Sequence, residues 1–215
     1  MFGITHFLAF ALAAFLLIIT PGNDTLLILS RSVTQGKKAG VISSLGIGTG
    51  STIHTLLAAF GLSIIIAKSI VVFSLIKYIG AAYLVYLGCK MVFSKQDVTF
   101  STLNKGSMPN INFSRLYKQA ILTNVLNPKV AMFFIAFLPQ FIDPTYEFTF
   151  LPFIILGLLF TVAGTIWCVV LAIFSSRLFV KVKKNNKLSV YLNRACGSIL
   201  IILGIKLAFV NKDSA

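Results

Sequence analysis

Acidic residues are scarce in this chain, five Asp and Glu against nineteen Lys and Arg among 215 residues. Charged residues of both signs make up only 11%, against roughly 25% in a soluble domain, so most of the surface has no means of facing water. Cysteine occurs three times, as Cys89, Cys168 and Cys196, each in apolar sequence and without CxxC spacing. That pattern excludes a disulfide framework or a zinc site and leaves small buried hydrophobes. HExxH, GxSxG and paired intramembrane acids are missing too, which removes the usual hydrolytic enzymes. The net charge of +14 invites a nucleic-acid reading. The basic residues, however, sit in short loops between apolar runs, with no soluble fold to gather them into a patch.

What the chain has in abundance is apolar sequence: 57% hydrophobic residues, twenty of them Phe, and a mean hydropathy of +0.93. A helix needs about 20 apolar residues to cross roughly 30 Å of hydrocarbon. Runs that meet this need cover residues 7–29, 39–67, 70–93, 118–141, 148–174 and 190–210. They are continuous rather than alternating, so barrel strands are excluded and helices, which satisfy their own backbone groups in lipid, are predicted. The fold class is therefore all-α, a polytopic membrane protein of six transmembrane helices. Residues 1–6 carry no Lys or Arg to form the n-region of a signal peptide, so the first run is expected to stay as a helix of the mature protein.

Loop charges set the expected orientation. Arg31, Lys37 and Lys38 follow the first run; Lys95, Lys105, Arg115 and Lys118 follow the third; Arg177, Lys181, Lys183, Lys184 and Lys187 follow the fifth. The second loop has Lys68 alone and the fourth only Asp143 and Glu147. The positive-inside rule puts the odd loops in the cytoplasm and both termini outside, with Lys206 and Lys212 outnumbered.

The chain also repeats itself. Gly80-Ala-Ala-Tyr-Leu-Val-Tyr-Leu-Gly88-Cys-Lys90 in the third run parallels Gly197-Ser-Ile-Leu-Ile-Ile-Leu-Gly204-Ile-Lys206 in the sixth. The first and fourth runs each hold a mid-span proline among polar residues, Thr20-Pro21-Gly22-Asn23-Asp24 and Asn127-Pro128-Lys129. A three-helix unit used twice must point opposite ways in its two copies. The expected organisation is two inverted repeats, residues 1–93 and 115–215, joined by a polar cytoplasmic linker over 94–114, a recurrent plan of secondary transporters.

Proline in a helix removes one hydrogen bond and frees the carbonyl four residues back, here those of Leu17 and Asn124. Matched Pro/Gly breaks in two halves mark transporter binding sites, although such prolines also kink helices for packing alone. Asn23 and Asp24 are expected to cap the second half of the first helix, and Lys129 to open the second half of the fourth. A mid-membrane charge costs at least about 2.5–3.5 kcal/mol and needs a partner or a water cavity. Asp24 and Lys129 are thus either a structural ion pair or the walls of a cavity for a zwitterion. The candidate substrate-binding set is Pro21, Gly22, Asn23, Asp24, Asn127, Pro128 and Lys129. His54, in Gly46-Ile-Gly48-Thr-Gly50-Ser-Thr-Ile-His54, is a proton-coupling candidate beside Asp24, although a lone His more often serves packing. Gly46 and Gly50 form a GxxxG step suited to close helix approach.

These residues resemble the LysE/RhtB family of bacterial amino-acid exporters. Thr20-Pro-Gly-Asn-Asp24, Leu29-Ser30-Arg31, Gly36-Lys-Lys-Ala-Gly40, Leu45-Gly-Ile-Gly48, His54 and Gly61-Leu62 carry the likeness in the first half. Gly80, Tyr83, Leu87 and Gly88, then Asn124-Val-Leu-Asn127-Pro-Lys129 and Phe133-Phe-Ile-Ala-Phe-Leu-Pro-Gln-Phe141, carry it onward, so that it covers nearly the whole chain in order. The family usually has a second proline where this chain has Asn23, which implies a less sharply broken first helix. The resemblance implies secondary active export of amino acids or close derivatives across the bacterial inner membrane, driven by the proton-motive force. It calls for no enzyme activity, no cofactor, no metal and no nucleic acid. The partners are the small-molecule substrate and the lipid bilayer, with a homo-oligomer left open. A channel, a membrane redox protein and a transport-inactive scaffold are the alternatives. Against them stand the lack of a ring-forming filter motif and of cysteines beside the prolines; sequence does not test the scaffold.

Overall fold

The computed structural model describes residues 2–64, 70–93, 111–143 and 145–184, with Arg194, Gly197, Ser198, Ile201, Ile202, Gly204, Ile205, Ala208 and Phe209. Among them the architecture is helical: α1 Phe7–Ile19, α2 Asn23–Gln35, α3 Lys37–Leu57, α4 Ile70–Phe93, α5 Phe113–Val125, α6 Pro128–Met132 and α7 Phe150–Lys184. The linker stretch 94–110, with Lys95 and Lys105, lies outside the described residues, as do Lys68, Lys187, Cys196, Lys206, Lys212 and most of 190–210.

Two expected spans are divided. The run over 7–29 is α1 and α2, bent by 45° at Thr20-Pro21-Gly22 and reaching Gln35, so the first break is pronounced without a second proline. The run over 118–141 starts earlier, at Phe113, and is bent by 48° between α5 and α6. α6 continues through a π-helical turn, Phe133–Phe137, and a 3₁₀ turn, Leu138–Phe141. α3 likewise ends in a π-helical turn, Ala58–Leu62. α4 has the expected bounds, whereas α7 runs ten residues beyond the expected end at 174, to Lys184. Two helices, Lys37–Leu62 and Phe150–Ser175, are each long and apolar enough to cross a membrane, and each bent pair is one more candidate.

α3 is the centre of the bundle because its glycines admit other helices. A Cβ on Gly46 would lie 2.6 Å from the Tyr117 carbonyl, and one on Gly50 2.7 Å from Asn124 Oδ1. The GxxxG step therefore seats α5, which runs parallel to α3. On another face Gly40 meets Ala172, Gly48 meets Thr165 and Gly157 meets Thr55, an antiparallel pairing of α3 with α7. The basic ends gather on one side. Arg31 donates to Gln119 at 2.8 Å, and the Lys38 ammonium lies 4.9 Å from the Phe113 ring centre. A further seam joins the two glycine motifs, where Cβ atoms on Gly88 and Gly204 would come within 2.6 Å of the Gly197 carbonyl and 2.8 Å of the Ala81 carbonyl.

At the end opposite the basic one, residues 3–5 pair antiparallel with 141–143. Ile4 bridges Ile142, Thr5 N–H donates to the Phe141 carbonyl at 2.8 Å, and Asp143 N–H donates to the Gly3 carbonyl at 2.8 Å. Gly3 adopts φ 64° with the Tyr146 ring against it, a position only glycine fills without strain. In the loop beyond, the Asp143 carboxylate accepts from the Thr145 hydroxyl and N–H, which hold its carboxyl below the usual range. The larger apolar cluster lies in this half, with Phe133 stacked on Phe160 at 4.1 Å and Phe10 edge-on to Phe141 at 5.5 Å. A smaller one, around Ile28, Ile47, Ala120 and Ala172, fills the basic half.

Candidate functional site

The two helix breaks meet between these clusters. At the first, Thr20 closes α1 by directing its N–H and its hydroxyl to the Leu16 carbonyl, at 3.1 and 2.6 Å. Pro21 ends the ladder, and the extended Gly22 (φ −152°) is the N-cap of α2. The expected capping by Asn23 and Asp24 is not what forms, because both stand inside the first turn of α2. Asp24 suits the positive end of the helix dipole there, but its side chain turns to another helix.

At the second break, Asn127 is the cap. Its side-chain oxygen accepts from Lys129 N–H at 3.1 Å, and its carbonyl takes Val130 and Ala131 N–H. Pro128 occupies the first position of α6, where its missing donor costs nothing. Lys129 then crosses to the first break and donates from Nζ to the Thr20 carbonyl at 2.7 Å. A cation there also complements the negative end of α1.

A cavity of about 50 Å³ opens between the breaks, room for a few waters at roughly 10–15 Å³ each. Gly22, Asp24 and Thr25 line it from the first span, Ile47 and Ser51 from α3, and Asn124, Asn127, Lys129 and Val130 from the fourth. α7 adds Phe160, Gly164, Thr165, Trp167 and Cys168, and α1 adds Leu17 and Ile18. Asp24 Oδ2 accepts from Asn124 Nδ2 at 2.8 Å, while Asp24 Oδ1 and Trp167 Nε1 are buried and meet no hydrogen-bond partner among the described residues. A buried, unmet carboxylate oxygen costs several kcal/mol unless something cationic or a donor arrives.

Gly22, Asp24, Asn127 and Lys129 therefore share one cavity. Pro21, Asn23 and Pro128 do not reach it: all three are exposed, and the prolines act only by breaking the helices. His54 is buried beside the cavity rather than in its wall, stacked on Phe134 at 5.5 Å, with Nε2 3.4 Å from the Asn124 carbonyl. Ser51, Asn124, Thr165, Trp167 and Cys168 were missed as site residues from sequence. For Asn124 a signal existed, a buried-span amide at the position whose carbonyl Pro128 frees.

Comparison with known proteins matches most of the chain to a family. The model of the LysE type translocator matches residues 15–210. The uncharacterized membrane protein YrhP of Bacillus subtilis is 35% identical over 93% of this chain and 96% of its own length. The uncharacterized membrane protein PA4757 of Pseudomonas aeruginosa is 28% identical over 96% of each. A leucine efflux protein of Salmonella typhimurium is 31% identical over 73% of this chain and 72% of its own. No solved structure matches.

Proposed function

The chain belongs to the LysE type translocator family and is a multi-pass protein of the bacterial inner membrane, and on that premise we propose that it exports amino acids with neutral, aliphatic side chains. The observation that carries this reading is the pair Asp24 and Lys129, brought from two helix breaks to one cavity. An α-amino acid matches the pair: its ammonium meets Asp24 Oδ1, and its carboxylate meets Lys129. Leu17, Ile18, Ile47, Val130 and Phe160 supply an apolar wall for the side chain. Among the described residues the lining holds one acid and one lysine, so a second charge on the substrate would be buried without a counterpart among them, at a cost of several kcal/mol. The similarity to a leucine efflux protein agrees with this class.

The reading includes six spans in two inverted units, 1–93 and 115–215, joined by 94–114. The matched bends of 45° and 48° support it, as does the antiparallel seam between the two glycine motifs. Export is coupled to the proton-motive force, with Asp24 and His54 as the proton-handling groups.

The test is efflux from cells that lack their own exporters and are loaded with dipeptides. Expression should release neutral aliphatic amino acids with saturating kinetics, and a protonophore should stop the release. Amino acids retained inside equally with and without the chain refute export. Release that survives the protonophore removes the coupling alone, and flux without saturation indicates a channel.

A further inference from the structure

Asn124 uses every polar group it has, and each points to a different part of the site. Its side-chain N–H₂ donates to Asp24 Oδ2 at 2.8 Å, on the first broken span. Its side-chain oxygen accepts from Ser51 Oγ at 3.3 Å, on α3. Its backbone carbonyl is the one that Pro128 deprives of a helical donor. That carbonyl takes Asn127 N–H at 3.0 Å and faces His54 Nε2 at 3.4 Å. A carbonyl only accepts, so the contact is a hydrogen bond in the tautomer that bears its proton on Nε2. The residue is 1% exposed, and its side chain lies where any Cβ on Gly50 would be, 2.7 Å from Oδ1. It has nowhere else to go.

We propose that Asn124 is the positioning residue of the substrate site: it fixes the Asp24 carboxylate by one oxygen so that the other, Oδ1, is presented to the substrate ammonium. The inference rests on the export reading above and adds to it a residue that acts on the substrate ammonium through Asp24. The asymmetry within Asp24 is the physical reason. A carboxylate with both oxygens met inside the protein has fewer open acceptor sites for a cation, and one with neither fixed bears the whole entropy of ordering on binding. Holding one oxygen through a neutral amide orients the group while keeping the site's acid single. The acceptor-only carboxylate of Asp24 takes the N–H₂ and so sets which way the amide faces, and the Ser51 hydroxyl supports that orientation by donating to the amide oxygen.

The consequence is a coupling that a purely structural Asn124 lacks. Binding of leucine, as a neutral probe, and of its 2-hydroxy analogue, which has a hydroxyl in place of the ammonium, is measured on purified native, Asn124→Ala, Asp24→Asn and doubly substituted protein. Asn124→Ala should weaken leucine by about tenfold, the lower range for losing a hydrogen bond to a charged group. The hydroxy acid, whose hydroxyl donates to the same oxygen without a charge, should lose less than leucine does. Once Asp24 is Asn, adding Asn124→Ala should cost little more, since interacting residues are not additive. Equal losses for both probes, or losses that add in the double variant, would overturn the proposal and return Asn124 to packing. Where Asn124→Ala fails to reach the membrane, Ser51→Ala serves in the same cycle, with a smaller loss that is again greater for leucine. Native protein that binds no amino acid from a neutral panel removes the export reading itself, and the positioning role with it.

Discussion

Replacing Lys129 with Gln separates two roles that its geometry combines. Nζ donates to the Thr20 carbonyl at 2.7 Å and lies 3.6 Å from where a Cβ on Gly22 would stand, so the ammonium sits at the mouth of the first break. As a cation at the end of α1 it contributes about 0.3–2 kcal/mol to stability, offset by the cost of burying it. As a partner for the substrate carboxylate it contributes about 1.5–3 kcal/mol, the range for a charge-assisted hydrogen bond. Lys129→Gln should therefore reduce membrane abundance slightly and weaken leucine binding roughly ten- to over a hundredfold. Leucinamide, which has no carboxylate, should bind native protein poorly and lose little more in the variant. Binding to both ligands and abundance in the membrane are measured side by side. Equal losses for leucine and leucinamide would refute the carboxylate role. A collapse of abundance that Asp24→Asn restores in the double variant would show instead that Lys129 serves to balance Asp24 in the fold.

Asp24→Asn should abolish export while the protein remains in the membrane, and efflux at the native rate would remove Asp24 from the site. His54→Gln should flatten the pH dependence of efflux, because imidazole is the side chain that takes up and releases a proton near neutrality. An unchanged profile with intact transport assigns His54 to packing. Gly50→Ala should cost about 1–3 kcal/mol by overpacking and lower the unfolding temperature in detergent, because its Cβ meets Asn124. Gly61→Ala, which meets nothing within 4 Å, should be neutral or slightly stabilising, and equal shifts for the two would contradict the packing described. Reporters fused at the C-terminus and within 94–114 should report opposite sides of the membrane, the C-terminus outside; a cytoplasmic C-terminus sinks the inverted arrangement.

The breaks were legible because proline has one physical consequence in any helix, and the residues beside it in an apolar span are costly enough to need a reason. Pro21, Asp24, Pro128 and Lys129 point to the two breaks, and Asp24 and Lys129 line the candidate cavity between them. The choice of capping residue does not. Gly22 takes the N-cap, and Asp24 is drawn across to Asn124, a hundred positions away in sequence. Trp167 and Cys168 were unreadable for a related reason. Periodicity along α7 is weak where every face is apolar, and only the antiparallel fit of Gly48 and Gly157 determines which side meets the cavity. The end of α7 was placed too early because a basic stretch in a helix leaving the bilayer looks like a loop by composition.

The pairing of residues 3–5 with 141–143 has a kinematic consequence. It pins the start of α1 to the end of the span that contains α5 and α6, at the ends remote from the basic loops. Those are the two spans that carry Asp24 and Lys129. Two backbone hydrogen bonds of 2.8 Å fasten them there, so they behave as the legs of one pair of compasses, hinged at a backbone pivot and held at their far ends by a side-chain bond from Arg31 to Gln119. On the basic side the legs part at the cost of one side-chain contact, Arg31 to Gln119, whereas on the pinned side a path to the cavity must break backbone pairing or be made by α3 or α7 swinging away.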